Sequence, residues 1–290
     1  MSGSLSIFAS DKVEYVTSKR LTSNDTSQKL HLMKSRFRLL LLVGLAALAV
    51  ASCLGLTSST EPDSAEFELP ALLPDEEILR YEGFTVSYNR ETLTPNWVAY
   101  ELTREEVQGQ HAPKVNFGRD PNLHGRQASR EDYARSGWDR GHMAPKADMK
   151  WSETAYSESF YLTNICPQNH ELNAGDWNTV EKMVRRLANR NGNIYIVCGP
   201  LYDDNAFGSI GTAGVRVPDA FFKALLTRQE GRYTAVAFVM DNQPQHHPLR
   251  DYSCTVDELE ALLGRDLFAA LPDSIEAAVE STVRWADWNR

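Results

Sequence analysis

The sequence predicts an α+β protein, because strand-like and helical patterns both occur between about residue 80 and the C-terminus. Six runs are strand-like, and several are hydrophobic on both faces or bounded by turn residues. These runs are residues 85–88, 97–102, 160–165, 194–198, 221–226 and 234–240. Three runs are helical, namely residues 130–135, 173–191 and 256–263.

Local signals mark the ends of several of these elements. Asn191-Gly192 follows the longest helical run and is typical of a C-cap, because glycine readily adopts the conformation that ends a helix. Gly231-Arg232 is suited to close a hairpin between the last two strand-like runs. Thr255 followed by Glu258 is a capping-box pattern at the start of the last helical run. With 42% hydrophobic residues, the 290-residue chain has ample material for a core.

The N-terminal region has the pattern of a secretory signal. Lys34, Arg36 and Arg38 precede an apolar run at 39–51, and small residues lead to Cys53. This ending resembles the lipobox of bacterial lipoproteins, which predicts lipidation of Cys53 and a membrane-anchored protein of the cell envelope. The alternative is an uncleaved anchor over residues 39–56, at the short limit for spanning a membrane.

We accordingly expect four regions. Residues 1–32 read as an upstream extension of the chain, and residues 33–52 as a signal peptide that starts at Met33. Residues 53–75 read as a flexible acidic tether rich in Ser, Thr, Glu, Asp and Pro. Residues 76–290 form the folded domain.

The segment Asp139-Arg140-Gly141-His142 combines two reactive side chains. Histidine is the side chain best suited to act as a general base near neutral pH, and arginine is well suited to bind phosphate. In an extended segment, residues two apart point to the same face. Arg140 and His142 are therefore expected to address one substrate together.

The helical run downstream has polar side chains at four-residue spacing. Asn173, Trp177, Glu181 and Arg185 lie along one slowly drifting stripe of a helix. Asn173 and Glu181 offer oxygen atoms, and one or two protein oxygens can suffice to hold Mg²⁺. The alternative is a solvated helix face stabilised by an ion pair between Glu181 and Arg185.

Three segments in this order resemble the DNA/RNA non-specific endonuclease family. They are the DRGH segment at 139–142, YLTNICPQ at 161–168 and the pattern LNxGxWxxxExxxR at 172–185. The resemblance covers roughly residues 80 to 285 and includes VPDAFFK at 217–223. It implies a central antiparallel sheet flanked by helices, with a ββα-metal finger at the active site.

The resemblance also implies a role for each matching residue. His142 matches the general base, and Asn173 matches the ligand of a single Mg²⁺, for which Mn²⁺ is a substitute. Glu181 matches the glutamate that holds metal-bound water. Arg140 and Arg185 match arginines near the scissile phosphate.

Two further residues match supporting positions, and one position does not align. Asn164 matches an active-site asparagine that supports the site by hydrogen bonds, and Asp139 matches a residue whose role is structural. The family usually has another arginine upstream, where this chain offers Lys114 or Arg119 without a clean match.

These residue types suit hydrolysis of phosphodiesters in DNA and RNA that leaves 5′-phosphates. None of them is expected to read a base edge or to reject a 2′-hydroxyl. The alternative is a catalytically inactive envelope protein that binds nucleic acid on a nuclease scaffold; an antibacterial effector nuclease is a narrower alternative. Self-association into a homodimer is left open.

The charge distribution favours transient contact with nucleic acid over tight binding. The formal net charge is −9, and residues 53–91 carry nine acidic against two basic residues. Residues 139–190 carry seven of each, so the predicted site is locally neutral. Cys166 and Cys198 lie in apolar segments and are expected to be buried small hydrophobes.

Overall fold

A seven-stranded antiparallel sheet organises the part of the chain that the computed structural model describes, residues 66–203 and 206–289. The strand order is β1-β2-β3-β6-β9-β10-β11, and the longest strands lie at its centre. These strands are β1 (Glu77–Arg80), β2 (Thr85–Asn89), β3 (Thr94–Thr103), β6 (Asn193–Leu201), β9 (Ala220–Gln229), β10 (Arg232–Asp241) and β11 (Ser253–Cys254).

Two short antiparallel strand pairs lie outside this sheet. One pairs β4 (Asp139–His142) with β5 (Ile165–Gln168), and the other pairs β7 (Ser209–Ile210) with β8 (Val215–Arg216). The described α-helices are α1 (Arg104–Val107), α2 (Arg130–Tyr133), α3 (Glu153–Glu158), α4 (His170–Leu172), α5 (Asn178–Asn191), α6 (Val256–Leu263), α7 (Asp273–Glu280) and α8 (Trp285–Trp288).

Each face of the large sheet has its own apolar core. Along β3, Val98 and Tyr100 belong to one core while Trp97 and Ala99 belong to the other, as the alternation of side chains in a strand requires. Helix α5 packs on the first face and α6 with α7 on the second. This arrangement explains why the central strands are hydrophobic on both faces, and it confirms the predicted α+β class.

The ends of several predicted helices and strands agree with the structure. Helix α5 ends at Asn191 and is capped by Gly192, whose φ is +105° and whose N–H donates to the carbonyl of Ala188. Helix α6 starts with the predicted capping box between Thr255 and Glu258. The hairpin between β9 and β10 turns at Glu230-Gly231, one residue before the predicted pair, because Arg232 already pairs with Gln229.

Two predicted elements differ from the structure. Residues 160–165 were expected to form a strand, but Leu162–Asn164 is a 3₁₀ turn and β5 begins only at Ile165. The long helix is interrupted by a π-helical turn at Asn173–Trp177, inside which Gly175 has φ −98° and ψ −106°. Glycine permits this non-helical backbone. Asn173 therefore precedes helix α5 and does not lie on the same helical stripe as Glu181 and Arg185.

The N-terminal predictions fall mostly outside the described residues. This is true of the extension at 1–32, the signal peptide at 33–52 and lipidation at Cys53. Within the predicted tether, Phe67 contacts the rings of Tyr195 and Tyr233 on the sheet. These contacts favour a domain start near residue 66, and the boundaries stay predictions. In the part described, no helix is long and apolar enough to cross a membrane.

Candidate active site

Strand β4, paired with β5, presents Arg140 and His142 on the same side. The ring of Phe117 lies 5.2 Å from the His142 ring and 5.3 Å from the Arg140 guanidinium carbon. One aromatic side chain thus contacts both residues, as the two-residue spacing in a strand predicts. The β4–β5 strand pair and helix α5 correspond to the ββα unit that the family resemblance implies.

His142 lies in an apolar setting that keeps its ring neutral. Phe160 packs edge-on against the ring, with the ring centres 5.4 Å apart. Burial, together with the positive charge of Lys146, lowers the pKa of His142 to about 3. Its Nε2 atom is buried and has no hydrogen-bond partner in the described part of the chain. A neutral imidazole with an unused nitrogen can accept a proton.

Arg140 is a cation held by aromatic rings instead of by a carboxylate. Its guanidinium carbon lies 5.3 Å from the ring centre of Phe117 and 5.9 Å from that of Tyr133. Its Nε atom is buried without a partner, and within residues 66–203 and 206–289 no carboxylate forms an ion pair with it. The guanidinium is therefore available to an anionic ligand.

Gly141 is required by the close approach of Gln168. A Cβ atom at position 141 would overlap with Oε1 of Gln168 and lie 2.7 Å from its Cβ; Gln168 is on the neighbouring strand, two residues beyond Cys166, which pairs with Gly141. Any side chain there would force the two strands apart. The glycine between Arg140 and His142 thus permits the tight pairing that sets their direction.

Asp139 connects the β4–β5 strand pair to the segment that contains Asn173. Its Oδ2 atom accepts from Nδ2 of Asn173 over 2.9 Å and lies 2.8 Å from Nδ1 of His170. Because the NH₂ group of Asn173 is committed to Asp139, its Oδ1 is the atom left to bind a ligand. The predicted structural role of Asp139 is thus an orienting one.

The π-helical turn is secured from outside by a loop. The buried carboxylate of Asp176 accepts from the Tyr252 hydroxyl over 2.6 Å and from the His247 backbone over 3.1 Å. Nδ1 of His246 lies 2.6 Å from the same carboxylate. Burial opposes ionisation of Asp176, but these hydrogen bonds lower its pKa. The adjacent histidines thus hold the turn that carries Asn173.

Two buried charged side chains, Lys223 and Asp148, act on the carboxyl group of Glu181. Burial raises its pKa to about 7, against the opposing charge of Lys223, and Asp148 adds to the rise. Lys223 is fully buried, and its Nζ lies 4.5 Å from the ring centre of Trp177 with no hydrogen-bond partner among the described residues. Trp177 is a packing residue here.

Arg185 is held by a carboxylate that the sequence motifs did not indicate. Its Nη1 donates to Oδ1 of the buried Asp148 over 2.6 Å, and the hydroxyl of Tyr100 donates to Oδ2 over 2.9 Å. The ion-pair partner of Arg185 is therefore Asp148 and not Glu181, the partner expected for a solvated helix face. The bond to Asp148 fixes one edge of the Arg185 guanidinium.

Asn164 supports the site from within the core. Its amide donates to the carbonyls of Ala144 and Ser159 and accepts from the Ala144 N–H, each over 2.9 Å. It is fully buried, so it acts by holding the chain that follows His142. The same bonds explain why residues 162–164 turn instead of extending as a strand.

The segment where the family usually has another arginine contributes the ring of Phe117 to the site. Arg119 donates to the carbonyl of Gly125, and Lys114 is exposed. Phe117, between them, contacts Arg140 and His142. Sequence reasoning missed Phe117 and Asp148, which no local spacing marks. Lys223 was visible only as the last residue of the VPDAFFK segment.

The donor set suits a hard divalent cation. Asn173 offers an amide oxygen whose direction Asp139 sets, and Glu181 offers a carboxylate that burial drives toward its neutral form. A cation nearby would stabilise the ionised carboxylate. Oxygen ligands of this kind, completed by water, are those that Mg²⁺ prefers.

Comparison with known proteins agrees with this geometry. A family model described as DNA/RNA non-specific endonuclease matches residues 67–274. Mitochondrial nuclease EXOG of Xenopus laevis is 35% identical over 256 residues, which cover 78% of this chain and 71% of that protein. Human mitochondrial endonuclease G is 31% identical over 214 residues, covering 69% and 71%. The alignment spans a smaller share, 56%, of human EXOG.

A solved structure has the same fold. It is the crystal structure of the EndoG/EndoGI complex, which describes the inhibition of EndoG. The similarity has a TM-score of 0.67 with 28% sequence identity, and it covers 75% of this chain and 96% of that one. The antiparallel sheet flanked by helices is therefore confirmed.

The names of these relatives contradict the predicted cell-envelope location. The relatives from Xenopus laevis, human and Saccharomyces cerevisiae are all named as mitochondrial nucleases. The lipid-anchored, extracytoplasmic location was inferred from a short basic and apolar pattern before Cys53. Such a pattern is less specific than similarity over most of a chain, so the location prediction is wrong.

The family model spans most of the described residues, and it includes the segments with Arg140, His142, Asn173 and Glu181. Two relatives above 30% identity, EXOG of Xenopus laevis and human endonuclease G, are each matched over 71% of their own length. The chain therefore belongs to the DNA/RNA non-specific endonuclease family, whose members are enzymes that act on nucleic acid.

Proposed function

We propose that this chain is a Mg²⁺-dependent endonuclease that hydrolyses phosphodiesters in DNA and RNA and leaves 5′-phosphates. The observation that carries the proposal is the hydrogen bond from Asn173 to Asp139. It joins the candidate metal ligand to the strand that presents Arg140 and His142. A proton acceptor, a free cation and a metal ligand thereby belong to one connected unit.

His142 is the proposed general base. Its ring is neutral near pH 7 and has an unused nitrogen, so it can take a proton from the attacking water. Such proton transfer contributes typically about 10²–10⁴-fold to the rate. Phe117 and Phe160 hold the ring in place, which limits the loss of orientation during the reaction.

The two arginines are proposed to bind the phosphate. Arg140 has no carboxylate partner in the described structure and can direct its guanidinium at phosphate oxygens. Arg185 is anchored by Asp148 through Nη1, which leaves its other donors for the substrate. Preorganised donors of this kind stabilise the charge that develops in the transition state.

Asn173, and Glu181 through water, are the proposed holders of the cation. When bound, Mg²⁺ supplies Lewis-acid stabilisation of the phosphate and the leaving oxygen. Asp139 orients Asn173, and Asp176 secures the turn between Asn173 and Glu181. These two aspartates are positioning residues.

The substrate range follows from the same residues. The site groups address phosphate oxygens and water, and such contacts carry no sequence information. We therefore infer weak sequence preference and activity on both DNA and RNA. The net charge of −9 favours brief contact with the substrate.

The test compares His142→Ala with His124→Ala, which alters an exposed histidine outside the site. Supercoiled plasmid and single-stranded RNA are incubated with each protein in Mg²⁺, in Mn²⁺ and in EDTA, and circular dichroism verifies the fold. We expect His142→Ala to lose at least about 10²-fold in rate and His124→Ala to match the wild type. Mass spectrometry of the products should find 5′-phosphates.

Two outcomes would contradict the proposal. Undiminished cleavage by His142→Ala would remove the assigned base. Binding of DNA by the wild type without turnover in either metal would favour an inactive scaffold. A homodimer stays a separate prediction, which light scattering after gel filtration tests.

A further inference from the structure

A group of carboxylates lies away from the candidate active site, between helices α6 and α7. One oxygen each of Asp257, Glu260 and Glu280 lies within 4.8 Å of the others. Helices α6 and α7 pack on the second face of the sheet, whereas α5 packs on the first. This carboxylate group is therefore independent of the residues proposed for catalysis.

Glu280 makes this group unusual. Its side chain is only 1% exposed, and its Oε1 atom is buried without a hydrogen-bond partner in the described chain. It is also the last residue of α7, where the helix dipole disfavours a negative charge. A buried carboxylate without a partner is costly unless a proton or a cation neutralises it.

The neighbouring charges do not supply this neutralisation. Residues 256–280 contain seven acidic residues and one basic residue, Arg265. Arg265 donates to both carboxylate oxygens of Glu76 and to the carbonyl of Ala71, so it is committed elsewhere. Burial and neighbouring carboxylates, Glu260 first among them, raise the pKa of Glu280 to about 9.

We propose that Asp257, Glu260 and Glu280 form a Ca²⁺ site that joins α6 to α7. Calcium takes six to eight oxygen ligands at about 2.3–2.6 Å, so ligands on opposite sides lie about 5 Å apart. The three oxygens lie within 4.8 Å of one another, which is compatible with this diameter. The group contains carboxylates only, which suits a hard cation and not a transition metal.

Calcium fits this group better than magnesium. Glu260 already accepts from the Leu267 N–H over 2.6 Å, so its orientation is set by the backbone. Carboxylates fixed in this way cannot easily adopt the near-ideal octahedron at about 2.0–2.1 Å that Mg²⁺ demands. Calcium tolerates irregular geometry, and water can complete its shell.

Isothermal titration calorimetry with CaCl₂ on the metal-free full chain tests the site. We compare the wild type with Glu280→Gln, Asn173→Ala and Glu276→Gln. The last variant removes a charge from α7 without removing a ligand. Binding should persist in Asn173→Ala and Glu276→Gln and should weaken at least about tenfold in Glu280→Gln.

Thermal unfolding gives a second measurement. Calcium at ten times its Kd should raise the Tm of the wild type by about 3–6 °C and leave that of Glu280→Gln unchanged. Without calcium, Glu280→Gln should be at least as stable as the wild type, because it removes a buried acidic group. Asp257→Asn, an exposed substitution, should also weaken binding.

Two results would overturn the site. One is the absence of calcium binding up to about 1 mM, the weak end of protein Ca²⁺ sites. The other is binding that is lost in Asn173→Ala and retained in Glu280→Gln, which would assign the calcium to the candidate active site. Either result leaves the nuclease proposal untouched.

Discussion

At the scale of the residue, burial assigns different protonation states to the two titratable side chains of the site. It lowers the pKa of His142 to about 3 and raises that of Glu181 to about 7. The same physical effect thus favours a neutral base and a nearly neutral carboxyl group, because removal from water disfavours each charged form. His142 is therefore in the unprotonated form that a general base requires, whereas Glu181 needs a nearby cation to stay ionised.

The first prediction concerns Glu181 and the requirement for Mg²⁺. Below pH 7 protons compete with the cation for this carboxylate, so the half-saturating Mg²⁺ concentration should rise as pH falls. The rise should approach about tenfold per pH unit well below the pKa. Steady-state rates at pH 8, 7, 6 and 5.5 over a series of Mg²⁺ concentrations measure it.

Glu181→Gln provides the control for this experiment. It should need more Mg²⁺ at every pH and should lose most of the dependence on pH. A half-saturating concentration that is constant between pH 8 and 5.5 in the wild type would contradict the assignment.

At the scale of the element, two close contacts stabilise the β4–β5 strand pair of the candidate site and the π-helical turn beside it. Gln168 packs against Gly141 across the β4–β5 pair, and Asp176 ties the π-helical turn to the loop with His246 and Tyr252. Neither contact is part of the proposed chemistry. Both determine where the reactive side chains point.

Gly141→Ala tests the first contact. The added methyl group would overlap Gln168, so we expect a loss of about 1–3 kcal/mol in the free energy of unfolding and a rate reduced at least about tenfold. Urea denaturation and plasmid cleavage measure the two effects. Gly118→Ala is the matched control, because a Cβ atom there meets nothing within 4 Å.

Combining Gly141→Ala with Gln168→Ala should restore part of both losses. Gln168→Ala removes Cδ and Oε1, the two side-chain atoms beyond Cβ that would overlap with the added methyl group. No recovery in the double variant, with Gly118→Ala equally impaired, would show that the contact with Gln168 is not the cause.

Asp176→Ala tests the second contact. It leaves the buried Tyr252 hydroxyl without its acceptor, so we expect a loss of about 2–3 kcal/mol in stability. The turn that carries Asn173 should loosen, which should raise the half-saturating Mg²⁺ concentration more than it lowers kcat. Asp176→Asn keeps an acceptor and should recover much of both properties. Equal effects of the two variants would argue against this role.

At the scale of the whole molecule, an ion pair joins the two ends of the domain. Arg265 donates to both oxygens of Glu76, and both side chains are largely buried, at 11% and 8% exposure. Burial opposes ionisation of Glu76, but hydrogen bonds from Arg265, Leu73 and Ser87 lower its pKa. A lowered pKa stabilises the fold above the unfolded-state value, and this contribution is lost as pH falls through the folded-state value.

Arg265→Met should therefore lower the free energy of unfolding by about 3–5 kcal/mol, because it leaves the buried Glu76 carboxylate without its cationic partner. The control is Arg80→Met, which breaks the exposed pair with Glu66 and should cost no more than about 1 kcal/mol. Urea denaturation at pH 7 measures both. The loss in Arg265→Met should shrink as pH falls and Glu76 becomes protonated; similar losses in both variants would contradict the prediction.

Strong local patterns predicted much of the fold. The strands at the centre of the sheet and helix α6 lie where apolar runs and a capping box indicated them. Elements with weak patterns were missed, including β1 and α7. The strand predicted at 160–165 failed because buried hydrogen bonds of Asn164 decide the backbone there.

The sequence by itself was enough to indicate the family and the antiparallel α+β fold, and it predicts His142, Arg140, Asn173 and Glu181 as site residues, because these residues lie in contiguous segments with recognisable spacing. Only the tertiary structure decided which side chains surround them. Phe117, Asp148 and Lys223 come from distant segments, and no local spacing predicts a contact made by folding. Burial, which sets the charge of His142 and Glu181, is likewise a property of the packed molecule.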